Sequence, residues 1–172
     1  DLKAPAFNLI NIDNNYINLD NAKGKNGTVI VFICNHCPYV KTLAGRLSSE
    51  ANELKLNFIN TIAIMSNDVT KYPEDSFENM KKFYKKNNFN FPYLFDDTQE
   101  VAKMYGAVCT PDFFGFDKNL DLKYRGRLDS GTMNSTNKNI ERELYNAMIK
   151  IKDEGSGPEK QMNSIGCSIK WK

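Results

Sequence analysis

Cysteine is scarce in this chain. Four in 172 residues are far too few to staple a small scaffold with disulfides. An excess of one charge is missing as well: 23 basic and 21 acidic residues leave a net charge of +2. No basic block is long enough to hold a polyanion, so no nucleic-acid partner is expected. Lys81, Lys82, Lys85 and Lys86 cluster, but they share their stretch with an apolar stripe and read as the wet face of a helix. No apolar run approaches the ~20 residues that cross a bilayer, so no membrane span is expected. There is no glycine-rich phosphate loop, hence no organic cofactor is called for, and there is no internal repeat. The chain opens at Asp1 without Met. A cytoplasmic location is the expectation, with a periplasmic or secreted one as the alternative if a leader has been removed.

What is present is an ordinary globular composition, 41% hydrophobic and 26% charged. The length predicts one domain, residues 1–172, with a proper core. Its most informative segment is Cys34-Asn35-His36-Cys37-Pro38, between two periodic stretches. Thr28 to Ile33 is β-branched and apolar, a buried strand. Val40, Leu43, Ala44, Leu47, Ala51 and Leu54 follow at helix spacing. A cysteine at the start of a helix meets free backbone N–H groups and the positive end of the dipole, and both favour the reactive thiolate.

The rest of the chain divides in the same way. Residues 1–20 read as an N-terminal hairpin turning at Asn14-Asn15, and Phe58–Met65 as a second strand, parallel to the first across the helix. Asp75-Ser76-Phe77-Glu78 fits a capping box opening a helix with Phe77, Met80 and Tyr84 on one face. Pro92–Phe95 is a short strand. Asp97-Thr98-Gln99-Glu100 fits another capping box, followed by Val101, Met104 and Tyr105 facing inward and Gly106 as the stop. Phe113–Phe116 and Leu122–Arg127 form two strands around the turn at Asp117-Lys118-Asn119. Ile140, Leu144, Met148 and Ile151 mark a last helix. Residues 155–172 are then a tail packed on the domain.

Six further blocks carry a resemblance: Asn35-His36-Cys37-Pro38-Tyr39-Val40-Lys41, Tyr72 to Glu78, Thr98 to Ala102, Cys109-Thr110-Pro111-Asp112-Phe113-Phe114, Tyr124-Arg125-Gly126-Arg127 and Ser164 to Trp171. Together they resemble the peroxiredoxin-like group of thioredoxin-fold proteins, within the alkyl hydroperoxide reductase and thiol-specific antioxidant superfamily. The resemblance implies an α/β thioredoxin-like fold, with a central mixed sheet flanked by helices. An N-terminal β-hairpin and an extra helix inserted after the second core strand are its decorations. It also implies that Thr110-Pro111 is a cis peptide lying against the redox cysteine, with the Thr110 backbone free to pair with a substrate strand and Cys109 close by.

The helix register assigns the thiols. With Cys34 as N-cap, Pro38 would fall at the fourth helical position and cost ~3 kcal/mol. With Cys37 as N-cap, Pro38 takes the first position, where proline is favoured. Cys37 is therefore expected to attack, and Cys34 to be its partner from the strand side. The leading expectation is a thiol–disulfide oxidoreductase: Cys37 attacks a protein or small-molecule disulfide or an oxidised thiol, Cys34 releases the product, and an external thiol reductant recycles the pair. His36 either favours the Cys37 thiolate, as the histidine of periplasmic dithiol oxidases does, or is a loop side chain of little influence. A peroxide-reducing enzyme is the second reading. The peroxiredoxin pattern Pro-x-x-x-Thr/Ser-x-x-Cys is absent, since Ile30 and Cys34 stand at those offsets from Cys37. Arg125 and Arg127 are candidates for an arginine beside the thiolate, or else edge-strand surface groups, and Asp129 is open in the same way. The third reading is Cu or Zn binding through Cys34, His36, Cys37 and Cys109. Copper-delivery proteins on this fold space their cysteines differently, and Pro38 stands where c-type haem attachment needs histidine. Cys167 is a possible second thiol: the tail either folds back over the site and pairs it with Cys109, or buries it inertly near Trp171.

Overall fold

The computed structural model describes residues 2–132 and 139–172. Its centre is strand β3 (Gly27–Phe32), every residue of which is buried. That explains why it reads as an unbroken apolar run rather than an alternating one. β3 pairs in parallel with β4 (Ile59–Met65), and helix α2 (Pro38–Leu56) crosses between them, giving the expected βαβ unit. β5 (Tyr93–Phe95) continues the parallel run beyond β4. β7 (Asp112–Phe116) and β8 (Leu122–Gly126) add antiparallel on the other side of β3. The hairpin β1 (Asn8–Asn11) and β2 (Tyr16–Asn18) closes the far edge, giving the order β2-β1-β5-β4-β3-β7-β8.

Both faces of the sheet are covered. Val29, Val31 and Ile33 point to one side, against Val40, Ala44 and Leu47 of α2, Met80 and Phe83 of α3 (Phe77–Lys86), and Leu144, Met148 and Ile151 of α5 (Glu143–Glu154). Ile30 and Phe32 point to the other, against Leu19 of the short α1 (Leu19–Ala22) and Val101, Ala102 and Tyr105 of α4 (Glu100–Tyr105). Each such fully buried aliphatic or phenyl side chain is worth about 1.5–3 kcal/mol. This is a thioredoxin-like α/β architecture, with a mixed sheet flanked by helices. Among the described residues no helix is long and apolar enough to cross a membrane.

The tail leaves α5 at Gly155, in the left-handed region at φ 76°, and runs along β8. The Arg125 N–H donates to Gln161 Oε1 at 2.9 Å and the Arg127 N–H to the Met162 carbonyl at 3.0 Å, so the open edge of the sheet is covered. The tail then forms β9 (Cys167–Ser168), antiparallel to the two-residue β6 (Cys109–Thr110).

Local expectations need correction at four places. Asp75 does not cap α3: Ser76 does, its hydroxyl accepting from the Asn79 N–H at 3.2 Å. Asp97 does not cap α4 either. The buried Asp96 takes that role, accepting from the Val101 and Ala102 N–H groups at 3.3 and 2.9 Å and from the Ser66 hydroxyl at 2.7 Å. Met104, placed inside by spacing, faces solvent. The last helix starts at Glu143, beyond Ile140.

The capping exchange has a measurable consequence. Asp96→Ala strands three donors, two of them backbone, and should lower unfolding stability by about 1–3 kcal/mol. Asp97→Ala touches an exposed carboxylate with one long contact to Lys172 and should stay within about 0.5 kcal/mol of the parent. Urea denaturation of the two variants checks this; equal losses would refute the assignment.

Candidate active site

The end of β3, the start of α2 and the β6–β9 pair meet at one point. Cys37 is the N-cap of α2, with φ −65° and ψ 124°, and Pro38 is its first residue. The ring supplies the helical φ and costs no hydrogen bond there, because an N–H at this position has no partner within the helix. Cys34 comes off the end of β3. The Thr110-Pro111 peptide is cis. The Thr110 carbonyl oxygen lies 3.4 Å from Cys37 Sγ, and Thr110 Oγ1 lies 3.5 Å from Cys34 Sγ. Both cysteines are buried.

The two thiols are polarised in opposite senses. Cys37 is drawn from an ordinary value near 9 down to about 4, first by the hydrogen bond from the Cys34 thiol, with burial opposing. The Cys167 thiol and the N–H groups of Val40 and Cys167 add to the pull. Cys34 is pushed far up, first by that same hydrogen bond to Cys37, then by burial and by the negative charge of Asp75. The two titrations are linked, and the directions agree: negative charge is favoured on Cys37 and the proton on Cys34.

A network outside the cysteines fixes the loop between them. The Asp75 side chain is wholly buried and accepts from the Asn35 N–H at 2.8 Å and the Asn67 amide at 2.9 Å. Tyr93 OH donates to Asn35 Oδ1 at 2.8 Å, and the Asn35 amide donates to the Glu74 carbonyl at 3.1 Å. His36 Nδ1 stands 2.6 Å from Asp75 Oδ2, a close contact that is not aligned as a hydrogen bond. The His36 ring stacks on Tyr72, 3° from parallel. His36 thus faces Asp75 and Tyr72. Sequence reasoning missed Asp75, Asn67 and Tyr93 as parts of the site. The only signal for Asp75 was its place in the Tyr72–Glu78 block, where it read as a cap.

The remaining candidates separate. Cys167 does not pair with Cys109. Its sulfur lies 2.9 Å from Cys37 Sγ, because β9 puts Cys167 opposite Thr110 and Ser168 opposite Cys109. The Thr110 backbone is therefore occupied by the tail rather than free. Cys109 is half-buried, with its sulfur 3.5 Å from the Pro111 carbonyl oxygen and its thiol raised to about 11 by burial and by Asp112. Arg127 donates to Glu143 of α5 at 2.7 Å, and Arg125 donates to Asp112 at 3.0 Å and to the Gly106 carbonyl at 2.9 Å. Asp129 takes both ends of Arg46, at 2.7 and 3.1 Å. Trp171 lies under Lys103 Nζ, 5.6 Å away. Beside Pro111 a cavity of about 150 Å³ is walled by Tyr39, Leu43, Leu128, Ser164 and Ile165 among others. For a metal, Cys34, His36 and Asp75 bring three donor atoms within 4.8 Å of one another. However, Asp75 is already engaged by two donors, the Asn35 N–H and the Asn67 amide.

A cysteine at a helix N-terminus, beside a cis-proline on a mixed sheet, defines a protein of the thioredoxin-like class. Residues 1–125 match the model of the AhpC/TSA family, and the chain belongs to that family. Two solved structures are similar over almost its whole length. An uncharacterized conserved protein from Geobacillus kaustophilus is 47% identical, with 99% of this chain and 91% of that chain covered, at a TM-score of 0.93. A hypothetical protein from Sinorhizobium meliloti 1021 is 33% identical, with 99% and 93% covered, also at 0.93. A thioredoxin domain of a thiol-disulfide oxidoreductase from Bacteroides vulgatus shares the fold at 19% identity and a TM-score of 0.61, over 72% of this chain and 85% of that one. No curated protein matches. Family and fold together support a thioredoxin-like redox function.

The loop network predicts that Asp75→Ala, which leaves the Asn35 N–H and the Asn67 amide without an acceptor, lowers stability by about 1–3 kcal/mol. Glu74→Ala removes an exposed side chain whose backbone carbonyl does the bonding, and should change stability by under about 0.5 kcal/mol. Chemical denaturation of both variants is the check; a neutral Asp75→Ala would show that the loop holds without it.

Proposed function

We propose that this chain is a thiol–disulfide oxidoreductase in which Cys37 attacks and Cys34 is the second member of the dithiol. The observation that carries the reading is geometric: Cys37 is the N-cap of α2, Cys34 comes off the end of β3, and Thr110 of the cis peptide lies 3.4 and 3.5 Å from their sulfurs. The Cys37 thiolate attacks one sulfur of a protein or small-molecule disulfide. A new S–S bond forms to Cys37, the old one breaks, and the other substrate sulfur leaves as thiolate. Cys34 surrenders its proton and attacks Cys37 Sγ, expelling the remaining substrate thiol and leaving a Cys34–Cys37 disulfide. The two electrons lost are returned by an external thiol reductant. In the resting state Cys34 lowers the Cys37 pKa by hydrogen bonding to it, so the same group first activates the nucleophile and then resolves it.

A disulfide suits this site better than a peroxide. The arginines available to hold a peroxide anion are committed: Arg125 to Asp112 and Gly106, Arg127 to Glu143.

The test is alkylation of the reduced protein by iodoacetamide across pH 3–11, with each cysteine-containing peptide quantified by mass spectrometry. A lowered pKa means that the thiolate persists as pH falls and disappears only near the new value. Cys37 labelling should therefore be flat above about pH 6 and half-lost near pH 4. Cys109 and Cys167, raised to about 11, should label appreciably only above about pH 10. Cys34→Ser should move the Cys37 inflection upward. Labelling of Cys34 before Cys37 at low pH would overturn the assignment.

A further inference from the structure

We propose that Cys167 is a third redox thiol of this site, positioned by the C-terminal strand to close a disulfide with Cys37 when the protein is oxidised. The inference rests on the reading of Cys37 as the attacking thiol. It assigns the tail a chemical role that the Cys34/Cys37 pair does not need.

The geometry is specific to one pair of sulfurs. Cys37 Sγ and Cys167 Sγ are 2.9 Å apart, so closing to a disulfide bond of about 2.05 Å needs less than about 1 Å of approach. The approach is set by backbone register: Thr110 faces Cys167 and Cys109 faces Ser168. A slip of one residue would turn the Cys167 side chain to the other face of the pair. The residue before it is Gly166, where a Cβ would fall 2.0 Å from the Thr110 carbonyl oxygen. Only a residue without a side chain lets the tail come this close to the strand that carries the cis-proline.

The tail is docked at a site built to receive it. Beyond Cys167, the Ile169 side chain is buried in the core beneath the sheet, and its N–H donates to the Val108 carbonyl at 3.0 Å. Three buried polar residues spend their hydrogen bonds on the Lys170 backbone. Asn67 Oδ1 accepts from its N–H at 2.9 Å, while the Asp68 N–H at 2.8 Å and the Gln99 amide at 2.9 Å donate to its carbonyl. Gln99 Oε1 also accepts from the Lys172 N–H at 3.0 Å. Before Cys167, the Ser164 hydroxyl donates to the Pro111 carbonyl. Buried amides are costly unless paired, and here their partners are the tail. In this state Cys37 has no exposed surface. An outside disulfide reaches it only when β9 lifts from β6.

With the tail lifted, the Cys37 thiolate attacks a disulfide R–S–S–R′, forming Cys37–S–S–R and releasing R′–S⁻, which takes up a proton from solvent. As the tail returns, Cys167 loses its proton and attacks Cys37 Sγ. The Cys37–S–R bond breaks, R–S⁻ leaves and is protonated, and a Cys37–Cys167 disulfide remains. Two electrons have passed from the Cys37/Cys167 pair to the substrate. A dithiol reductant from outside restores both thiols. On this branch Cys167 takes the place of Cys34 as the resolving thiol, and Cys34 keeps its proton; resolution by Cys34 is the competing branch from the same mixed disulfide.

The test uses the full chain, oxidised with glutathione disulfide, blocked with N-ethylmaleimide, digested without reduction and mapped by mass spectrometry. The expected product is a Cys37–Cys167 cross-linked peptide, formed by the parent and retained in Cys34→Ser. Glutathione should accumulate on Cys37 only in the double variant Cys34→Ser/Cys167→Ser. Gly166→Val, which keeps every sulfur but drives the strand off Thr110, should lose most of the cross-link and gain iodoacetamide labelling of Cys37. If the oxidised parent holds only a Cys34–Cys37 disulfide with Cys167 fully blocked by maleimide, the proposal is wrong and the dithiol reading stands. If Cys37 of the double variant takes up no glutathione at all, the dithiol reading itself fails.

Discussion

Pro38 has no N–H to give and a φ already set for a helix, and the site depends on that constraint. It is accepted at the first position of α2 and rejected three residues further on. The residue before it must then be the N-cap, so Cys37 lies on the helix axis among unpaired N–H groups. Cys34, three residues earlier, is still attached to the end of β3. The two cysteines therefore belong to different elements and feel different fields. A cysteine pair with both members inside the helix would have its first member at the cap and its second within the first turn. Here the order is reversed in space, with the second member of the motif in the activating position.

Burial makes this asymmetry steep. Moving a lone thiolate away from water is unfavourable, and the site answers with donors rather than with a cation. The Cys34 thiol, the Cys167 thiol and two backbone N–H groups converge on Cys37. The nearby carboxylate, Asp75, acts on Cys34 instead. Its negative charge discourages ionisation of the thiol that must stay neutral to donate. Asp75 thus acts on both the loop and the thiol: it holds the Asn35 backbone and pushes the Cys34 pKa upward. The segment that carries it, a single 3-10 turn at Pro73–Asp75 leading into α3, is an insertion relative to the bare βαβ unit. It is the insertion that completes the cysteine loop.

How much of this could be read in the chain follows from which forces are local. β3 is legible because five consecutive large apolar residues, Val29 to Ile33, have few other uses. The start of α2 was legible because proline imposes a steric rule on its own neighbours. The cis peptide at Thr110-Pro111 followed from the resemblance, not from periodicity. Spacing alone points to Asp75 and Asp97 as caps, but tertiary partners decide: the buried Asp75 is taken by Asn35 and Asn67 and leaves the cap to Ser76, while the buried Asp96 reaches the α4 N–H groups in place of the exposed Asp97. Ser76 and Asp96 hold the helix N–H groups, and Asp75 was drawn under the cysteine loop. The position of Cys167 was beyond sequence reasoning. A two-residue strand has no periodicity, and its register against β6 is set by Gly166, Ile169 and the Lys170 backbone contacts, all partners distant in sequence.

The tail also bears on how a wholly buried sulfur can be reactive at all. It is joined to the domain by hydrogen bonds that contribute about 1 kcal/mol each net and by one large apolar anchor, Ile169. Among the described residues its two-residue strand pairs with β6 alone. Segments of this kind open at free energies well below that of global unfolding, whereas α2 and β3, buried in the core, do not. The polarised sulfur is therefore kept on the rigid part of the molecule and its cover on the part that opens. Of the donors on Cys37, the Cys167 thiol and N–H belong to the tail, whereas the Cys34 thiol and the Val40 N–H belong to the β3–α2 unit. The largest cause of the lowered Cys37 pKa, the Cys34 hydrogen bond, therefore lies on the elements packed in the core.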